Sequence, residues 1–329
     1  YMSEIVINAQ NLSKNFYNFD SRLPFIKRFL KRNQITIRAV QDISFTIKRG
    51  SIVGFIGSNG AGKSTTIKML TGTLYPSSGK LEVNGEIPFK RSINFRKKIS
   101  IVVGNKLQLF QDVSAMDYFQ LIGTLYEVEP AILQERIQEL SNLLNVKDQL
   151  YQQVRTLSLG QKMKMEFIAA SLTSPEILFL DEPTIGLDIQ SKKDIRTFLK
   201  KMNEECHTTI ILTSHDMDDI SSVCDELIVI DKGKIILQES MDVILSKFSD
   251  FKYLKIKMTL DLVPELCSVK GVVVISQTKS ECILKIPRDF VFETLESINK
   301  LVDIEDFEIS NLSLEEIILQ NYFTKKEHN

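Results

Sequence analysis

Nine residues, Gly57-Ser58-Asn59-Gly60-Ala61-Gly62-Lys63-Ser64-Thr65, constrain this chain more than any other stretch. They fit the pattern G-x-x-x-x-G-K-[ST] and sit between an apolar run, Ile52–Ile56, and a segment of helical character, Gly62–Leu70. A triphosphate carries several negative charges, so a loop that holds one must turn backbone N–H groups inward at close range. Glycine permits both the backbone conformation and the approach. A helix starting near Gly62 adds the positive end of its dipole. In such a loop Lys63 is expected to reach the β- and γ-phosphates, and the Ser64 hydroxyl to ligate Mg²⁺.

The rest of the chain supplies the scaffold that this loop needs. Short apolar strands, each followed by a helix, recur at Ile52–Ile56, Ile177–Leu180 and Thr208–Thr213, which argues a mainly parallel α/β sheet. Before them, Ile43, Phe45 and Ile47 alternate with polar residues as in a half-buried strand. From about Asp112 to Leu157 no good strand is seen, and Pro130 is placed to open a helix. After about Met241 the rhythm changes. Strands are predicted at Phe251–Met258, Val272–Ile275, Cys282–Ile286 and Ile304–Ile309, with helices at Asp289–Leu301 and Leu312–Tyr322. That order suggests a small α+β unit of the split β-α-β, ferredoxin-like kind.

Two further clusters carry chemistry. The strand Ile177–Leu180 runs into Asp181 and Glu182. In a parallel sheet ligands bind at the C-terminal edge, which places Asp181 to hold the Mg²⁺ shell and Glu182 to take a proton from an attacking water. Thr213-Ser214-His215 ends the following strand, where His215 is placed to donate to a γ-phosphate or to orient the water.

Composition closes off other classes. With 329 residues there is room for a large nucleotide-binding domain and a smaller one. A net charge of −1 gives no global basic field for nucleic acid. No apolar run approaches the roughly 18–20 residues of a membrane span. No signal peptide is expected, and Tyr1, preceding Met2, reads as a cloning remnant. Cys206, Cys224, Cys267 and Cys282 lack metal-ligand spacing and read as reduced thiols. Between Ser21 and Gln34 lie Arg22, Lys27, Arg28, Lys31 and Arg32 without an acid, while Ile26, Phe29 and Leu30 share one helical face. Two readings stand for this segment: contact with anionic lipid or a membrane subunit, or a solvated hairpin packed on its own domain.

Leu157-Ser158-Leu159-Gly160-Gln161 resembles the L-S-G-G-Q signature of ABC ATPases. Around it Pro183-Thr184-Ile185-Gly186-Leu187-Asp188 looks like the D-loop of that family, His215 like its H-loop switch, and Phe16 like the aromatic A-loop residue that stacks on adenine. Within the family the chain looks like ATPases of type-2 exporters, by Leu159, by His215-Asp216-Met217-Asp218-Asp219 and by Leu312-Ser313-Leu314-Glu315-Glu316-Ile317. The resemblance implies a P-loop ATPase domain over 2–240, with an antiparallel β subdomain, a helical subdomain at about 106–160 and the basic insertion at about 20–36. A C-terminal accessory domain follows at 250–329.

It also implies two ATPs sandwiched in a head-to-tail dimer; the complete motif set permits two competent sites in a homodimer, with a heterodimer as the other reading. Ser158 and the Gly160 N–H, at the start of a Gly160–Leu172 helix, would meet the γ-phosphate held by the other copy. Asp188 would line the site. A separate permease would be driven from the cytoplasmic face of the membrane. Asn105 stands where the family has its Q-loop glutamine, by its spacing to Leu109, and Gln108 is a second candidate for that work on nucleotide and Mg²⁺. Members acting on ribosomes usually fuse two ATPase units, and DNA-repair members insert coiled coils; this chain has neither. A purely regulatory nucleotide sensor is disfavoured by the intact Glu182 and His215.

Overall fold

A computed structural model describes residues 4–19, 34–257, 272–278, 281–301, 306–311 and 314–318. The basic segment, Ser21 to Gln34, lies outside them but for Gln34, which opens a strand; most of the predicted terminal helix lies outside them too. The chain forms two compact units, Tyr1–Glu239 and Ser240–Asn329.

In the first unit two long strands, β1 (Ile5–Phe19) and β2 (Gln34–Lys48), pair antiparallel, and β4 (Ser78–Val83) joins β1 on its other side. Along β2 the expected alternation decides the faces: Ile43, Phe45 and Ile47 are buried while Ser44 and Thr46 are exposed. A second sheet of six strands holds β3 (Ile52–Ile56), β5 (Ile99–Val103), β6 (Ile177–Asp181), β7 (Thr209–Thr213), β8 (Glu226–Asp231) and β9 (Lys234–Ser240). Its order is β5-β6-β7-β3-β8-β9. The first five strands are parallel neighbours. β9 returns through the two-residue turn Lys232–Gly233, both at positive φ (47° and 79°), as a tight hairpin demands. Strands covered on both faces need continuous apolar runs, and β3 and β7 are buried along their whole length.

Each helix of this unit has a readable cause. Helix α1 (Lys63–Leu70) follows the glycine loop, and a short α2 (Ile93–Lys98) leads into β5. Ser114 caps α3 (Ala115–Leu125) in a reciprocal capping box with Asp117, and Pro130 opens α4 (Pro130–Leu143). Helix α5 runs Leu159–Ser171, one residue earlier at each end than the sequence suggested. The cause is a second capping box, Ser158 with Gln161, which makes Leu159 the first helical residue. In α6 (Ile189–Cys206) the buried Ile195, Phe198, Leu199 and Met202 recur at helical spacing. Phe198 meets Phe167 of α5 edge-to-face at 5.6 Å between ring centroids. Helix α7 (Met217–Val223) connects β7 to β8.

The second unit begins with α8 (Met241–Ser249). It carries an antiparallel sheet of β10 (Phe251–Lys257), β11 (Val273–Gln277), β12 (Glu281–Pro287) and β13 (Asp306–Ser310), in the order β11-β12-β10-β13. Leu254 and Ile256 of β10 form its core with Cys282, Leu284 and Ile286 of β12 and Val291. The predicted helix from Asp289 resolves into a 3₁₀ turn, Arg288–Phe290, followed by α9 (Val291–Leu301); a short α10 (Leu314–Ile318) comes last.

Candidate active site

Residues separated by more than 150 positions meet because four parallel strands end on one edge of the six-stranded sheet. Across that edge Val103, Asp181, Thr213 and Phe55 lie in one register row. One or two residues beyond it come Asn105 after β5, Glu182 after β6, His215 after β7 and Gly57 after β3. The carboxyl edge is where open α/β sheets bind ligands.

The phosphate loop, Gly57 to Gly62, leads into α1. Gly62 is the N-cap at φ 112°, and a Cβ there would stand 2.6 Å from the Ala39 carbonyl oxygen. Only glycine accommodates both the backbone and the approach. Ser58, Asn59 and Gly60 are exposed, Ala61 is buried, and Thr65 lies on the first turn of α1. The Lys63 ammonium donates to the carbonyls of Gly57 (2.7 Å) and Ser58 (3.3 Å). Burial lowers its pKa, opposed by the charges of Glu182 and Asp181.

Ser64 and Asp181 stand together, the hydroxyl donating to Asp181 Oδ1 at 2.9 Å. The same oxygen accepts from the Thr213 hydroxyl at 2.8 Å. Thr213 was not singled out in the sequence; its Oγ1 also accepts from the Glu182 N–H at 3.0 Å, so it fixes both carboxylate residues. Glu182 itself has φ 53°, an uncommon left-handed conformation for a non-glycine residue and one that functional sites often impose. Its Oε2 accepts from the His215 N–H at 3.1 Å, while His215 Nε2 lies 3.1 Å from Oε1. Oε1 is buried and receives no hydrogen bond among the described residues. Burial raises the Glu182 pKa, and His215 and Lys63 pull it back down. A carboxylate moved up in this way suits general-base work near neutral pH.

Asn105 is exposed on the turn after β5. The preceding Gly104 donates to the Asp181 carbonyl at 2.9 Å, and a Cβ there would overlap the Glu182 carbonyl oxygen. The Gln108 side chain instead donates back to the Ile101 carbonyl at 2.9 Å. The Leu109 N–H donates to Glu166 Oε1 at 2.8 Å, and the Gln108 N–H donates to the same oxygen.

The other sequence-predicted residues share no described hydrogen bond with this cluster. Ser158 accepts from Gln161, and Gly160 faces Ser191 and Asp188, where a Cβ would not fit. Asp188 caps α6, its two oxygens accepting from the Ser191 N–H (2.9 Å) and hydroxyl (2.7 Å), which also lowers its pKa. Leu159 is not among the residues at positive φ, so its backbone is the ordinary one of a first helical turn. Phe16 is 39% exposed, with Lys14 Nζ 5.3 Å from its ring centroid. It pairs with Ile37 of β2, two residues before Ala39, which touches Gly62.

A glycine loop at a strand–helix junction, an acid pair and a histidine on one sheet edge define a phosphate-loop ATPase. Residues 40–185 match the family model described as ABC transporter. Over 216 residues the chain is 32% identical to the ABC transporter ATP-binding protein NatA of Bacillus subtilis (strain 168), covering 66% of this chain and 87% of that protein. It is 34% identical over 197 residues to the linearmycin resistance ATP-binding protein LnrL of the same organism, covering 60% of this chain and 63% of that one. The ATP-binding cassette MJ0796, solved as a dimer in a post-hydrolysis state with ADP and Pi, superposes with a TM-score of 0.60 at 20% identity, covering 71% and 98% of the two chains. The chain belongs to the ATP-binding proteins of ABC transporters: it is an ATP-hydrolysing transporter subunit. Among the described residues no helix is long and apolar enough to cross a membrane.

Proposed function

We propose that this subunit hydrolyses MgATP at the sheet edge just described, and that the resulting closing and opening of a dimer drives a separate permease, in the export direction. The observation that carries this reading is the register row across four strands, which gathers Lys63, Ser64, Asp181, Glu182 and His215. The N–H groups of the loop and Lys63 hold the β- and γ-phosphates. Glu182 accepts a proton as water attacks the γ-phosphorus, and the bond to the β–γ bridging oxygen breaks to leave ADP and phosphate. His215 holds Glu182 in place and donates to the γ-phosphate. Phe16 stacks on adenine. Ser64 and Asp181 form a small hard-oxygen set of the kind that suits Mg²⁺, with Asn105 completing it. Bound there, the ion would neutralise phosphate charge.

Ser158, Gly160 and Asp188 take part from the other copy. The dimeric cassette MJ0796 favours this arrangement, and so does the fact that the described hydrogen bonds of Ser158 and Asp188 stay on their own helices. LnrL, named for resistance to linearmycin, favours export. A cavity of about 380 Å³ opens along β5, lined by Arg91, Arg96, Ile101, Gln108, Tyr118 and Glu166 among others. We assign it to a cytoplasmic segment of the permease, which would hold the subunit peripherally at the membrane. The test is ATPase turnover of the full chain against protein concentration, with Glu182→Gln beside it. Turnover per subunit should rise with concentration and vanish in the variant. A rate independent of concentration would remove the dimer, and an active Glu182→Gln would remove the base.

A further inference from the structure

Behind the site lies a buried carboxylate that the reaction does not use. Asp219, on the first turn of α7, is 1% exposed. Its Oδ1 accepts from Arg196 Nε of α6. Its Oδ2 accepts from the Thr184 hydroxyl and lies 3.5 Å from the Ser214 hydroxyl, next to His215. Ser214 Oγ in turn accepts from the Asp216 N–H at 3.0 Å, and Asp216 pairs with Lys192 of α6. One side chain thus joins the 183–188 loop, the end of β7, and two helices. Thr184 is the buried anchor of a loop whose tip, Ile185 and Gly186, is exposed.

We propose that Asp219 is a positioning residue that ties the 183–188 loop to the strand end bearing His215, so that both move as one body during turnover. This rests on the reading above, in which that loop faces a second copy of the chain. A buried acid is retained at a desolvation cost that only well-placed donors offset. Here the donors come from Thr184 and Arg196, on separate elements. The tie adds to the main-chain bond from the Glu182 N–H to the Thr213 carbonyl (3.1 Å), which fixes the strand ends but not the loops beyond them. Asp219 touches neither Glu182 nor the phosphate loop in any hydrogen bond described, so its effect on the reaction must pass through Thr184 and Ser214.

Thr184 separates this role from simple packing. Valine keeps the shape of threonine without the hydroxyl, and serine keeps the hydroxyl without the methyl. Steady-state turnover of the full chain is measured for Thr184→Val, Thr184→Ser and Asp219→Asn, together with equilibrium binding of a fluorescent ATP analogue. Thr184→Val and Asp219→Asn are expected to lower kcat by about 10-fold with KM and binding changed less than about 2-fold, the pattern of a lost transition-state arrangement. Thr184→Ser should stay within about 2-fold of the parent, and combining Thr184→Val with Asp219→Asn should cost little more than either alone. Wild-type turnover in Thr184→Val, a loss in Thr184→Ser as large as in Thr184→Val, or a raised KM at unchanged kcat overturns the proposal. If Asp219→Asn does not fold, the two Thr184 variants decide by themselves. A parent rate independent of protein concentration would remove the dimer reading, while the Thr184 ratios would still judge the tie.

Discussion

The phosphate-loop edge and the signature end of the same unit are built in opposite ways. At the first, the key side chains are held by other elements: Ser64 by Asp181, Asp181 by Thr213, Glu182 by His215. At the second, the polar groups close on their own helices: Ser158 caps α5 through Gln161, and Asp188 caps α6 through Ser191. One half is therefore assembled within a single chain, and in the proposed reading it is the half that binds nucleotide. The other is a pair of well-formed helix starts with exposed Ser158 and Ile185, lacking only something to face. On the proposed reading, a site divided in this way would make turnover conditional on a partner, because some charge-stabilising donors would be supplied only on closure.

The largest effect should come from Glu182→Gln, which keeps the shape and removes the base. We expect kcat to fall by about 10²–10⁴-fold, the usual worth of a general base. ATP binding should persist, since the phosphates are held elsewhere, and ATP-bound dimers should accumulate in size-exclusion chromatography with light scattering. Loss of binding along with turnover would show that the two halves are not separable as described.

On the signature side, Ser158→Ala removes both a cap and a donor. Its loss should lower kcat by about 10²-fold, as for one oxyanion-type donor, and destabilise the chain by about 1 kcal/mol through the cap. Ser158→Asp sharpens the comparison. The carboxylate still caps α5, so the melting temperature should hold, while a negative charge facing a γ-phosphate should reduce turnover further than alanine does. If nucleotide binding to a dilute monomer weakened in either variant, the division between the halves would be wrong.

Gly62→Ala probes the first half from the backbone. At φ 112°, with the Ala39 carbonyl 2.6 Å from the new Cβ, the residue must shift or strain. A cost of about 1–3 kcal/mol is expected for such a conformation. It should show as a lowered melting temperature and a raised KM for ATP, whereas a variant with unchanged KM would mean that the loop tolerates a side chain there.

How much of this was legible beforehand follows the range of the interactions. The phosphate loop, the strand before Asp181 and the alternation in β2 are local patterns, and they fold as read. The start of α5 was misplaced by one residue because the signature suggested a helix from Gly160, while the Ser158–Gln161 box was there to be read in S-x-x-Q spacing. Thr213 and Asp219 carry no role in the sequence reading, where they stand only within longer strings, because their worth lies in contacts to residues 32 and 35 positions away, Asp181 and Thr184. No periodicity encodes those. Strand β5 passed unremarked too, although the placement of Asn105 depends on it.

Asn105 gives the smallest and most discriminating test, since sequence spacing left it in competition with Gln108. The register row favours Asn105: it follows Gly104, whose N–H bonds to the Asp181 carbonyl, and nothing bulkier than glycine fits between those two strand ends. Gln108 has its amide turned back to Ile101, two residues inside β5, and its own N–H held by Glu166. Asn105→Ala should lower kcat by about 10-fold and raise the Mg²⁺ concentration needed for half-maximal rate, with little change in melting temperature because the side chain is exposed. Gln108→Ala should leave the Mg²⁺ requirement where it was, and alter only how strongly a permease stimulates turnover. Asn105→Gln adds one methylene and should retain activity if the amide reaches the site directly, but lose part of it if a bridging water already fills the gap. Should Gln108→Ala abolish the Mg²⁺ dependence while Asn105→Ala leaves it intact, the loop beyond β5 must rearrange during turnover, and the half-site would be less complete in one chain than its hydrogen bonds imply.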